Sequence, residues 1–160
     1  MRRDKNNYYL DIAEAVLGRS TCLRRHYGAV VVKNDEIIST GYNGAPRGRL
    51  NCTNLKTCTR EELNVPSGEK YELCRSVHAE QNAIISASRK DLLDSTLYLV
   101  GKEAKNGKYT KYNRPCTMCT RFIINAGIKT LVIRDDKNNY HTIDVNEFIE
   151  KDDTLPGVRL

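Results

Sequence analysis

Two short apolar runs, TLYLV at 96–100 and KTLVI at 129–133, constrain the fold of this chain more than any other feature. Both suit strands buried on two faces, the first being flanked by charge on either side. A helical pattern precedes each. From His78 onward Ala79, Ala83, Ile84 and Ala87 share one stripe, and residues 116–126 read as a second helix that Gly127 ends. Helix, strand, helix, strand in that order implies parallel crossovers and a sheet covered by helices, an α/β fold. Upstream, Tyr9, Ile12, Ala13, Val16 and Leu17 fall at helical spacing over 8–17, with Gly18 as the stop. GAVVVKNDEIISTGYNG then reads as a hairpin turning at Asn34-Asp35, with strands at 28–33 and 36–42.

The 160 residues lie in the usual range for one domain, so a single domain over 1–160 is expected, carrying a cysteine-containing loop at about 45–75. A net charge of +6 suits phosphorylated partners, a nucleotide as readily as a nucleic acid. Asp11 and Glu14 interrupt the N-terminal apolar residues, which argues against a signal peptide, and no stretch approaches the roughly 20 apolar residues that span a bilayer. A cytoplasmic location without membrane association is the expectation, and in that compartment thiols stay reduced. The six cysteines then point first to metal ligation.

His78, Cys116 and Cys119 supply the imidazole and thiolate donors that zinc prefers, three in number, as at catalytic sites that keep a fourth position open. Cys116 and Cys119 are three apart and face the same way on a first helical turn, where Pro115 fits because its missing N–H has no helical partner to lose. Glu80, two residues after His78, points elsewhere on a regular helix, which separates a proton carrier from a metal ligand. Both motifs open helices, so both bring a positive dipole end toward thiolate. A purely structural zinc knuckle is the bland alternative. It leaves unexplained the ordered pair of H-A-E and P-C-x-x-C, each at the start of an apparent helix.

With these motifs, the stretches CLRRHYGAVVVK (22–33), GYNGAPRG (41–48), LCRSVHAEQNAI (73–84), PCTMC (115–119) and IINAGI (123–128) make the chain resemble the deoxycytidylate deaminases of the cytidine deaminase superfamily. The resemblance implies a three-layer α/β/α fold with a mixed sheet of about five strands, hydrolysis of dCMP to dUMP and ammonia, and a homo-oligomer, usually a hexamer. It also implies dCTP and dTTP as effectors in many members. Zinc would make hydroxide available at neutral pH for attack on C4, while Glu80 moves protons from water to ring N3 and to the leaving ammonia. Asn43 and Gly44 resemble a nucleotide contact, since glycines let backbone N–H groups approach phosphate or sugar; a plain turn is the alternative. Arg89 matches an arginine linked to effector binding in some relatives, or is a solvated helix-end charge.

Between residue 100 and Pro115 this chain carries GKEAKNGKYTKYNR, where shorter relatives pass almost directly from strand to motif. Its lysines and Arg114 suit a solvated hairpin or a phosphate contact near the site. Cys22, Cys52, Cys58 and Cys74 remain, the number a closed structural zinc site requires. Some relatives carry a second zinc built from this region. Four unrelated buried thiols, or His26 in place of one cysteine, are the alternatives. Deamination of tRNA or single strands would also use the zinc motifs, but no row of aromatics accompanies the basic residues, so a nucleic-acid partner is not expected. A non-catalytic nucleotide-binding zinc protein would have no use for Glu80.

Overall fold

The computed structural model describes residues 1–111 and 114–151. Residues 112 and 113 of the basic insert, and 152–160 of the expected single domain, lie outside the described residues. The chain opens with α1 (Lys5–Leu17), then β1 (Arg25–Lys33) and β2 (Glu36–Tyr42). Next come the one-turn helices α2 (Cys52–Leu55) and α3 (Thr59–Glu62), followed by α4 (Ala79–Ile85) and α5 (Arg89–Leu92). The order closes with β3 (Thr96–Glu103), α6 (Thr117–Ala126), β4 (Thr130–Arg134), β5 (Tyr140–Asp144) and α7 (Asn146–Lys151).

The five strands form one sheet in the order β2-β1-β3-β4-β5. Strand β1 is antiparallel to both β2 and β3, β3 and β4 are parallel, and β5 is antiparallel to β4. Strands β2, β3 and β4 therefore run in one direction, and the sheet is mixed. The crossover from β2 to β3 passes over β1, so only the step from β3 through α6 to β4 joins adjacent parallel strands. The β1–β2 turn holds Asn34 and Asp35 at φ 51° and 62°, the left-handed pair that a two-residue hairpin with matching twist requires.

Strand alternation divides the core between the two faces of the sheet. Ala29, Val31, Leu97, Leu99, Leu131 and Ile133 pack with Ala79 and Ala83 of α4 and Ile123 of α6. Val30, Val32, Tyr98, Val100 and Val132 pack with Tyr9, Leu10, Ala13 and Leu17 of α1. Helices thus cover both faces in three layers, as expected. Among the described residues no helix is long and apolar enough to cross a membrane.

Strand β5 and α7 have no counterpart in the sequence reading. Only Ile143 of β5 is buried, so this edge strand carries no apolar period to detect. The 45–75 segment is less irregular than its composition suggests, because α2, α3 and a 3₁₀ turn at Tyr71–Leu73 interrupt it. Each is too short to show a helical repeat.

Beneath α1 lies a charged network. Arg134 is 1% exposed, and its two terminal nitrogens donate to Glu14 and Asp11, each at 2.8 Å. Lys102 pairs with Glu14, and the Tyr109 hydroxyl donates to Glu14 at 2.8 Å. Half of the basic insert is therefore anchored rather than solvated: 102–109 is a hairpin in which Lys102 faces Tyr109, while Lys105 and Lys108 stay exposed. Burial alone would raise the Glu14 pKa, but hydrogen bonds from Lys102, Tyr109 and Arg134 outweigh it and hold the carboxylate below its ordinary 4.5.

A carboxylate with a depressed folded-state pKa stabilises the fold at pH above its unfolded value, and that contribution is lost as pH falls through the folded one. Stability should therefore decline below pH 4.5, and Glu14→Gln should flatten that decline. Thermal midpoints from pH 7 to 3 test this. An equally steep acid limb in the variant would contradict it.

Candidate active site

Helices α4 and α6 both follow strands that run the same way, so both N-termini reach the same edge of the sheet, as α/β crossovers dictate. His78 is the N-cap of α4 and Cys116 the N-cap of α6. The His78 backbone N–H donates to the Gln81 side chain at 2.9 Å, and the Cys119 N–H donates to the Cys116 sulfur at 3.4 Å. Helix α4 sits tight on the sheet because β2 has glycine beneath it. A Cβ at Gly41 would stand 2.2 Å from the Ala79 carbonyl oxygen and 2.4 Å from the Ala83 nitrogen. The Ser39 hydroxyl donates to the Ala83 carbonyl at 2.7 Å, and the Asn82 amide to that of Tyr42 at 2.7 Å, which fixes the helix start.

The His78 Nδ1 lies 3.5 Å from the Cys116 Sγ and 3.3 Å from the Cys119 Sγ. Tetrahedral zinc, with bonds of about 2.0 Å to nitrogen and about 2.3 Å to sulfur, sets such ligands about 3.5 Å apart, so the three donors fit the ion. Among the described residues these three are the set of His, Cys, Asp and Glu whose ligand atoms all lie within 4.8 Å of one another. Glu80 is 6% exposed, and its carboxyl stands 3.7 Å from the Cys119 sulfur, beside the ligands rather than among them.

The electrostatics favour a cation at this point. The Cys119 hydrogen bond lowers the Cys116 thiol, against its burial, to about 4, while Cys119, bonded to Cys116 and buried, is driven up. Burial opposes charge on His78, but hydrogen bonds with Cys116 and Cys74 raise it to about 10. An imidazolium beside a thiolate holds protons that a metal ion displaces on binding. Burial pushes the Glu80 carboxyl above the usual range, against the pull of His78.

The site opens into a cavity of about 360 Å³, within the range of small-molecule sites. Arg24, Arg25, Arg60, Lys111 and Arg114 reach its wall, with Glu80 at the metal end. Arg24 pairs with Glu61 at 3.2 Å and Arg25 with Glu103 at 3.0 Å, whereas Lys111 and Arg114 are exposed. The basic insert thus divides into a hairpin anchored on α1 and two cations at the cavity.

The other sequence-derived residues fare unequally. Asn43 lines the cavity, but its side chain is largely committed: the oxygen accepts from the Ser20 hydroxyl and the Tyr27 N–H, and the amide donates to the Arg25 carbonyl. One amide hydrogen is left for a ligand. The Gly44 N–H, expected to approach phosphate, instead donates to the Val77 carbonyl at 3.2 Å, and its carbonyl accepts from the Val77 N–H at 2.8 Å. That correction has a simple cause: the loop must be tied to the strand-like residues before His78, and a Cβ at Gly44 would crowd the Thr21 hydroxyl at 2.8 Å. Arg89 lies away from the cavity, at the start of α5, and donates to the Asn125 carbonyl at 2.6 Å near the end of α6.

Cys22, Cys58 and Cys74 line the cavity, and Cys52 is buried close enough for all three to influence its thiol. No three of these four sulfurs lie within 4.8 Å of one another. His26 gives its Nε2 to the Cys22 carbonyl at 2.9 Å. Sequence reasoning missed Arg24, Arg25, Arg60 and Tyr71. Arg60 and Tyr71 sit on a loop without periodicity, where the sole signal was its length inside a compact chain, and Arg24 and Arg25 stand just before and at the start of β1, where nothing in the strand pattern marks them.

Fold and site together define an α/β/α protein with a zinc centre of the three-ligand type, a carboxylate at its side. The chain belongs to the family described as the cytidine and deoxycytidylate deaminase zinc-binding region, which matches residues 3–134. It is 38% identical over 136 residues to the deoxycytidylate deaminase of Mycobacterium phage D29, covering 82% of this chain and 94% of that one. The deoxycytidylate deaminase of Schizosaccharomyces pombe is 31% identical over 137 residues, and there the match spans only 37% of the longer protein. The dCMP deaminase of cyanophage S-TIM5, solved in apo form, superposes with a TM-score of 0.57 at 28% identity, covering 86% of this chain and 89% of that one. The same enzyme in complex with dCMP and dUMP gives the same score.

Proposed function

We propose that the chain hydrolyses dCMP to dUMP and ammonia. The observation that carries this reading is a buried Glu80 carboxyl beside a three-ligand zinc set, at the floor of a cavity whose rim is cationic. Zinc held there supplies Lewis acidity and lowers the pKa of a neighbouring water to roughly 7. Glu80 would take a proton from the attacking water and deliver it to ring N3 as C4 accepts the hydroxide, then take the proton of the new C4 hydroxyl and pass it to the departing amino group. Ammonia leaves, and C4 keeps the oxygen as a carbonyl. Lys111 and Arg114 offer charge to the 5′-phosphate, and the remaining Asn43 amide hydrogen faces the sugar.

Ammonia release from dCMP, CMP, dCTP, deoxycytidine and an RNA hairpin, each with and without dCTP and dTTP, tests the substrate. The highest kcat/KM is expected on dCMP. Replacing Lys111 and Arg114 by alanine should raise KM for dCMP but leave deoxycytidine nearly unaffected. Highest turnover on RNA or on deoxycytidine would overturn the assignment.

We also infer, from the resemblance, a homo-oligomer, a hexamer, regulated by dCTP and dTTP in a cytoplasmic setting. Ile85 at 73% exposure and Phe122 at 47% on the outer helices support self-association. Arg89 would serve an effector at a subunit boundary. A second, structural zinc on Cys22, Cys52, Cys58 and Cys74 is supported by three of these thiols lining one cavity and by Cys52 lying close enough for all three to influence it. It requires the loop to draw the sulfurs closer together. Elemental analysis should then find two zinc ions per chain; one per chain in carefully purified protein would rule it out.

A further inference from the structure

Arg60 and Tyr71 have no role in the chemistry above, yet they form a stack that ends on a zinc ligand. The Tyr71 and His78 rings form a T-shaped pair, with centroids 5.1 Å apart and planes at 89°. The Arg60 guanidinium lies 4.4 Å from the Tyr71 centroid. Arg60 is 6% exposed and forms no ion pair among the described residues. One terminal nitrogen donates to the Pro66 and Glu69 carbonyls at 2.9 and 2.8 Å, and Nε is buried without a partner.

Burying a guanidinium without a carboxylate is costly, and the aromatic face with two carbonyls offsets only part of that cost. What the arrangement achieves is order in the loop that walls His78. The N-cap bond fixes the His78 backbone, hydrogen bonds with Cys116 and Cys74 act on its ring, and Tyr71 packs beside that ring. Zinc needs Nδ1 aimed between Cys116 and Cys119, and outer partners of a ligating imidazole are what set such angles. Tyr71 is the aromatic neighbour of that ring.

We propose that Tyr71, held in place by Arg60, is a positioning residue for the zinc ligand His78. The proposal rests on zinc occupying the His78, Cys116 and Cys119 site and is independent of the substrate. The full chain loaded with cadmium-113 tests it by NMR, since a nitrogen-and-sulfur ligand set resonates apart from an all-sulfur one. Tyr71→Phe should keep the wild-type resonance and zinc affinity, because it preserves the ring whose centroid lies 5.1 Å from that of His78. Tyr71→Leu should shift or broaden that resonance and weaken zinc binding, measured by chelator competition, roughly 10- to 100-fold. Arg60→Lys should move both in the same direction by less, since it lacks the planar face.

A wild-type resonance and affinity in Tyr71→Leu would overturn the proposal, as would equal losses in Tyr71→Phe. If Tyr71→Leu does not fold, Arg60→Lys decides by the same measurements, and an unchanged signal there overturns it. Failure of the wild-type chain to bind cadmium at this site would instead refute the zinc centre itself.

Discussion

Replacing Glu80 with glutamine should lower kcat by about a hundredfold to ten-thousandfold while zinc content stays at the wild-type level, the range typical for loss of a general acid and base. Glutamine preserves size and shape in a space where Glu80 is 6% exposed, so the helix start and its packing survive. The metal ligands are untouched, because Glu80 approaches Cys119 at 3.7 Å without belonging to the set that surrounds the metal position. What disappears is a group that can accept a proton and release it again. Steady-state ammonia release, with elemental analysis of the same sample, measures both halves. Turnover near wild type would show that Glu80 does not carry the proton.

Cys119→Ser should abolish zinc binding at the site, reduce activity to background and remove the stabilisation that zinc confers. Cys119 is fully buried on the first turn of α6, and its sulfur is 3.3 Å from the His78 Nδ1. A serine oxygen is shorter, harder and protonated at neutral pH, so it is a poor substitute for a thiolate. A ligand present at a thousand times its dissociation constant stabilises a fold by about 4 kcal/mol. For a chain of this size that corresponds to roughly 10 °C in Tm. Wild-type protein should therefore lose at least that much on chelation, whereas the variant should lose less by about that amount, keeping only what the proposed four-cysteine site contributes. A loss on chelation as large in the variant as in the wild type would mean that Cys119 does not hold the metal.

The site was legible where local sequence controls geometry. H-A-E and P-C-x-x-C could be read because a ligand at a helix start has a defined direction, and His78 and Cys116 are both N-caps. The strands at 96–100 and 129–133 were readable because burial on two faces leaves a continuous apolar run, whereas β5 buries one residue and left none. Asn43 reaches the cavity wall from its glycine-rich loop, while the Gly44 N–H is taken by Val77, and a backbone N–H is open to a ligand only if no other strand takes it. Arg60 and Tyr71 could not be found this way. Their importance lies in what they touch, across a loop that has no repeat.

The candidate set of His78, Cys116, Cys119 and Glu80 could be read from the sequence alone, through two motifs that each open an apparent helix. That the two motifs meet was decided only by the tertiary structure. A mixed sheet with β2, β3 and β4 running one way brings two helix N-termini, 38 residues apart at His78 and Cys116, to one edge. The same holds for the split of the basic insert into an anchor on Glu14 and a cationic rim at the cavity. Charge patterns along a chain are one-dimensional, and which charges find a buried partner depends on elements far away in sequence.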